Sequence, residues 1–231
     1  TGNKFEFRMV GSRDSVAEPN VVLNTIAAEA FSDACDVLEK ADDFDMAVHD
    51  LIKQYASEHQ RIVFNGNGYS DEWVEEAERR GLPNIKTMVD SIPVLSEEKT
   101  VQLFEKFGVF TRAELESRAE IQYEAYSKAI NIEARSMIDI ASKHIIPSVL
   151  QYTTALATSI NQIRSACAEA NISVQIELLK DCSSLLAATK AALKALTEVT
   201  EKAAATTEGR ERAVYILENV VPAMEALRQP V

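Results

Sequence analysis

Apolar positions along this 231-residue chain recur at two periods. Residues 5–9 alternate, with Phe5, Phe7 and Met9 on one face and Glu6 and Arg8 on the other. That is the period of a half-buried strand. Val10-Gly11-Ser12-Arg13-Asp14 breaks the alternation, and Glu18-Pro19-Asn20 signals a turn and a helix start. From Asn20 to about Lys40 the spacing predicts a helix whose apolar stripe is Leu23, Ala27, Ala30 and Ala34. Asp42 and Asp43 mark a second helix start by matching the positive end of the dipole. Val48, Leu51, Ile52 and Tyr55 give that helix a core face.

Ile62-Val63-Phe64 is a short apolar run ahead of Asn65-Gly66-Asn67-Gly68, the most turn-like stretch in the chain. Ser70, followed by Asp71 and Glu72, opens a short helix that Gly81 ends. Residues 84–110 read as short helices separated by Ser91-Ile92-Pro93 and Gly108. Thr111-x-x-Glu114 is a capping box, after which Ala119, Tyr123, Tyr126, Ile130, Met137 and Ala141 recur at helical spacings. Pro147 either kinks this helix or splits it near His144, and the stripe resumes at Tyr152, Leu156, Ile160 and Ile163. A further helix over about 173–205 carries Leu179, Cys182, Leu186, Thr189, Leu193, Leu196 and Thr200 at heptad spacing. Beyond Gly209 a closing helix uses Val214, Leu217, Val221 and Met224. The fold class predicted is mainly α, with three long helices and short connections forming a bundle at ~20° crossings.

Composition agrees. Only 7 Gly and 6 Pro are present, too few for a turn-rich β-sandwich or barrel. The net charge of −12 is concentrated early, since residues 1–60 carry 5 basic and 12 acidic groups. An acidic chain with no basic run does not attract nucleic acid or an anionic membrane by long-range electrostatics. No stretch approaches 18 uninterrupted apolar residues, and no signal peptide is visible. Cys35, Cys167 and Cys182 are unclustered and form no Cys-x-x-Cys pair. They are expected to be reduced cysteines in or near a helical core, as in a cytoplasmic protein. The chain opens Thr1-Gly2-Asn3-Lys4 without Met and runs almost at once into the strand pattern, as a piece of a longer polypeptide would.

Candidate chemistry is confined to the opening strand. Glu6 and Arg8 project from one face about 7 Å apart along the chain. A carboxylate there can hold a hard divalent cation, and a guanidinium can grip a carboxylate or phosphate bidentately. Spacing alone favours an exposed strand with paired charges over a site. Gly66-Asn67-Gly68 lacks the Gly-x-x-x-x-Gly-Lys spacing of a phosphate cradle and reads as a tight turn. His49, His59 and His144 do not share metal-ligand spacing and read as structural or surface residues. Tyr123, Tyr126 and Tyr152 form a helical stripe expected in the core, and Trp73 is expected to anchor its short helix.

The surroundings of Glu6 and Arg8 carry a resemblance. Lys4-Phe5-Glu6-Phe7-Arg8, a loop, and then Ala17-Glu18-Pro19-Asn20-Val21-Val22-Leu23-Asn24 leading into an Ala-rich helix is similar to the last block of glutamine synthetases. The stretch Phe64-Asn65-Gly66-Asn67-Gly68-Tyr69-Ser70-Asp71-Glu72-Trp73, with Glu76-Ala77 and Arg80-Gly81-Leu82, resembles the large type III subfamily. So does the long helical C-terminal extension. The more familiar family form has Pro-Asp shortly after the Arg and Asn-Pro-Tyr at the turn, where this chain has Met9-Val10 and Pro19-Asn20.

The resemblance implies an ATP-dependent glutamate–ammonia ligase using Mg²⁺ or Mn²⁺. Glu6 would ligate the metal ion associated with ATP. Arg8 would contact glutamate and the γ-glutamyl phosphate, serving both substrate binding and catalysis. Residues 1–60 would end an α+β catalytic domain, 61–110 would connect, and 111–231 would form the type III-specific helical extension. Partners implied are glutamate, ammonia and ATP, within a cytoplasmic homo-oligomer of stacked rings. The remaining carboxylates, nucleotide-binding strands and ammonium site would lie upstream of Thr1, so the isolated chain is expected to be inactive. The other reading is a helical assembly module without catalysis, favoured by the heptads at 179–203.

Overall fold

The computed structural model describes residues 15–231, and every regular element among them is helical. The predicted strand at 5–9 lies outside the described residues. In chain order the first helices are α1 (Ala17–Leu38), α2 (Phe44–Glu58), α3 (Asp71–Arg79), α4 (Met88–Ser91) and α5 (Glu98–Lys106). They are followed by α6 (Arg112–Ile140), α7 (Ile146–Ala166), α8 (Ser173–Ala205), α9 (Arg210–Tyr215) and α10 (Val221–Arg228). The described residues divide into two compact units, one of residues 15–86 and 94–115, the other of 87–93 and 116–231.

Helix ends in the first unit follow local chemistry. Asp43 caps α2, its carboxylate accepting from the Met46 N–H at 3.0 Å. Both α3 and α5 close with a glycine at positive φ, Gly81 at 69° and Gly108 at 63°. In each, two crossing backbone bonds satisfy the last carbonyls. Leu82 and Gly81 N–H donate to Ala77 and Glu78, while Val109 and Gly108 donate to Phe104 and Glu105. Thr111 and Glu114 form the reciprocal cap expected, with the Thr111 N–H donating to the Glu114 carboxylate at 2.8 Å.

The core of this unit is Val101, Phe104 and Leu115, with Val21, Val22, Leu95 and Phe110 packed against it. Burying each large member contributes roughly 1.5–3 kcal/mol. The valines turn α1 so that Thr25 is buried while Ala27 and Ala30 face outward. The predicted Leu23–Ala27–Ala30–Ala34 stripe is therefore not the inward face. An alanine row gains little from burial, and the larger side chains set the rotation.

In the second unit α8 is the central element. Its Leu193, Leu196 and Ala203 join Ala134 and Ala141 from the α6 side and Ile216, Val220 and Leu227 from the last helices in one buried cluster. Residues 112–166 run without a break, because the five residues Ala141–Ile145 form a π-helical turn between α6 and α7. The Ile146 N–H reaches back five residues to the Ala141 carbonyl. A second π turn, Ile216–Val220, joins α9 to α10, and there the Val221 N–H bonds Ile216. Pro147 and Pro222 are each the second residue past such a turn. A proline ring clashes with the carbonyl four residues earlier in an α-helix, and a wider turn relieves that clash without breaking the rod.

Ile160 is buried as expected, but Tyr152 is 48% exposed and Thr153 takes the inward place. In the closing helix the fully buried row is Ala213, Ile216, Val220 and Leu227, while the predicted Val214, Leu217, Val221 and Met224 are half-buried beside it.

Candidate functional site

Glu6 and Arg8 lie outside the described residues, so their geometry is not part of the fold above. Among the described residues no group of three or more His, Cys, Asp or Glu side chains could hold a metal ion. No helix there is long and apolar enough to cross a membrane. His49 is exposed on α2 beside Asp50, and the His59 ring lies 6.1 Å from Tyr55. All three cysteines are free thiols, and Cys35 and Cys167 are exposed rather than near a core.

The most organised stretch in the first unit is the loop before α3. Asn67 nucleates it, its side chain accepting from the Tyr69 N–H at 3.1 Å and its carbonyl accepting from the Ser70 hydroxyl at 2.9 Å. The Phe64 ring stacks on Trp73 at 4.3 Å between centroids, so Trp73 anchors α3 to the loop as expected. A Cβ at Gly66 would stand 2.6 Å from the Phe64 ring, so a larger residue there must displace that ring from its stack. Neither Gly66 nor Gly68 has positive φ, and the segment is a turn packed on its own aromatic pair.

Arg80 ties these parts together. Its guanidinium donates to the Val63 carbonyl at 2.7 Å and the Arg61 carbonyl at 3.1 Å, and pairs with Glu76 one turn back. It also sits 5.7 Å from the Trp73 ring centroid, a cation–π distance. Arg79, which also pairs with Glu76, is the first cause holding that carboxyl below its usual range, and Arg80 is the second. Tyr69 projects from this fixed base at 89% exposure. The arrangement offers a rigid apolar edge. Sequence reasoning missed the Arg80 clamp, although Glu76 and Arg80 stand at the i,i+4 spacing of a helical ion pair.

Two further contacts fix the helices. Lys106 on α5 reaches Glu29 on α1 at 2.5 Å, and that bond raises the lysine pKa. In the second unit burial pushes the Tyr123 phenol up, against the opposing pull of Arg210.

The glutamine synthetase C-terminal domain family model matches residues 47–164. A type-3 glutamine synthetase of Dictyostelium discoideum is 40% identical over 71% of this chain and 23% of its own length. A glutamine synthetase of Butyrivibrio fibrisolvens is 35% identical over 99% of the chain and 33% of its own length. One from Bacteroides fragilis (strain YCH46) is 29% identical, covering 99% of the chain and 32% of itself. The chain therefore spans about a quarter to a third of the curated relatives it matches. The matched region runs from α2 through the aromatic loop and the clamp of Arg80 to the end of α7, and by that match the chain belongs to the glutamine synthetase C-terminal domain family.

Proposed function

We propose that this chain is the C-terminal part of an ATP-dependent glutamate–ammonia ligase. The observation that carries the reading is the family match, joined to relatives named glutamine synthetase along nearly the whole chain. In that reaction the glutamate side chain takes the terminal phosphoryl group of ATP to give γ-glutamyl phosphate. Ammonia then attacks the acyl carbon, and phosphate leaves.

Within this chain the chemistry falls to Glu6 and Arg8. The carboxylate of Glu6 suits a hard divalent ion, Mg²⁺ or Mn²⁺, which when bound would screen the phosphate charge of ATP. Arg8 grips the carboxylate of glutamate and neutralises charge developing on the acyl phosphate, the kind of electrostatic stabilisation that dominates phosphoryl transfer. Residues 1–60 end the catalytic domain in this reading, 61–110 connect, and 111–231 form the helical extension serving assembly in a cytoplasmic ring-shaped homo-oligomer. Exposed apolar side chains on that extension, Ile132 and Val174 at 63% each among them, favour the assembly role.

The test is Arg8→Ala in the intact enzyme. Loss of one such stabilising group is expected to lower kcat by about 10²–10³, and unchanged γ-glutamyl transfer would remove Arg8 from the site. The 231 residues alone are expected to make no glutamine; ATP-dependent synthesis by them would overturn the division of labour proposed here.

A further inference from the structure

The second unit holds a cavity of about 140 Å³ between α6, the end of α8 and the corner leading into α9. Its inner wall contains a polar group that the surrounding packing leaves unused. The buried threonines among the described residues are satisfied within their own helix. Thr25, Thr189 and Thr200 each donate to the carbonyl four residues back at 2.7–2.8 Å. Ser127 is 7% exposed, lines the cavity, and its Oγ has no hydrogen-bond partner among the described residues. Leaving a buried hydroxyl unpaired costs about 1–3 kcal/mol, so this position favours a polar visitor.

The walls around Ser127 are built rather than accidental. Ala203 and Ile216 are buried and apolar, and Ile216 opens the second π turn, a distortion frequent at functional sites. Gly209 adopts φ 83° and ψ −141°, close to a region essentially reserved for glycine. Arg212 is held over the mouth by the Thr206 carbonyl at 2.8 and 3.1 Å and by Glu208 at 3.1 Å. Across from it Lys128 pairs with Glu124 at 2.5 Å. The mouth therefore presents two cations and two carboxylates in two pairs. A net anion meets Glu124 and Glu208, and a net cation meets Lys128 and Arg212. A molecule carrying both charges can match both pairs.

We propose that this cavity binds a small zwitterion, a free amino acid the size of glycine or L-alanine, with Ser127 hydrogen-bonding it from below. At ~30 Å³ per water, the volume is that of a few waters and suits a short side chain against Ala203 and Ile216. The proposal rests on the lining of this cavity and stands whether or not the ligase reading does.

Calorimetric titration of the full chain with L-alanine tests it, with acetate and methylammonium as single-charge probes. Saturable L-alanine binding is expected, with each half-probe at least about tenfold weaker, a difference of one decade in Kd. Ser127→Ala should weaken L-alanine at least about tenfold while leaving the unfolding temperature unchanged or higher, because it deletes an unpaired buried hydroxyl. Lys128→Gln, on the exposed rim, should weaken it without touching the core. Absence of saturable binding, acetate or methylammonium binding as tightly, binding unaffected by both variants, or a Ser127→Ala protein that melts lower would each overturn the proposal.

Discussion

Arg80 shows how much one side chain can organise when its acceptors are backbone carbonyls. It spends its donors on Arg61 and Val63, 19 and 17 residues upstream, and leaves its charge to Glu76 and the Trp73 face. Arg80→Ala should loosen the loop, because the Arg61 and Val63 carbonyls, Glu76 and the Trp73 face all lose their shared partner. The effect should be confined to the loop, with faster amide exchange over residues 61–69 and little change in α8. Acid acts on the same cluster through Glu76, whose pKa lies below its ordinary 4.5 in the folded chain. A depressed carboxyl contributes stability above the unfolded value and loses it as pH falls through the folded one. Loosening of the loop is thus expected below about pH 4.5. The chain has a single tryptophan, so Trp73 fluorescence reports it directly, and Glu76→Gln should flatten that acid limb.

At the scale of elements, the ends of helices were legible, and so were the inward faces of α6 and α8, whereas the rotation of α1 was not. Asp43, Gly81, Gly108 and the Thr111–Glu114 pair each encode a boundary within a few residues, and each acts where the spacing places it. Rotation depends on what lies opposite. Val21 and Val22 turn α1 toward Val101 and Phe104, a fact held in residues far along the chain. The clamp of Arg80 was hidden for a related reason, because a carbonyl acceptor leaves no trace in residue identity. For Ser127, burial follows from its place four after Tyr123, whereas its lack of a partner emerges only from packing. Glu6 and Arg8 were readable as a site through their neighbours rather than their spacing. Leu196, fully buried at the centre of α8, is the clearest check on the bundle itself. Leu196→Ala should destabilise the second unit by about 2–5 kcal/mol in denaturant titration, and a loss under about 1 kcal/mol would mean that α8 is not the spine.

For the molecule as a whole, the two π turns bear on how the chain can change length. Each is a helical turn closed by a bond to the fifth residue back, one residue more than an α-helical turn holds. Elsewhere in α6 or α8 a one-residue deletion would swing every later side chain about 100° off the core. Removing Ser142 together with Pro147→Ala should instead heal the rod into plain α-helix, with Ile160 still buried and the melting temperature within a few degrees of the parent. A control deletion of Ile130, in the uninterrupted part of α6, should abolish cooperative unfolding. The rod is then tolerant of a one-residue change in length at its π turn and intolerant of it in the plain α-helix on either side.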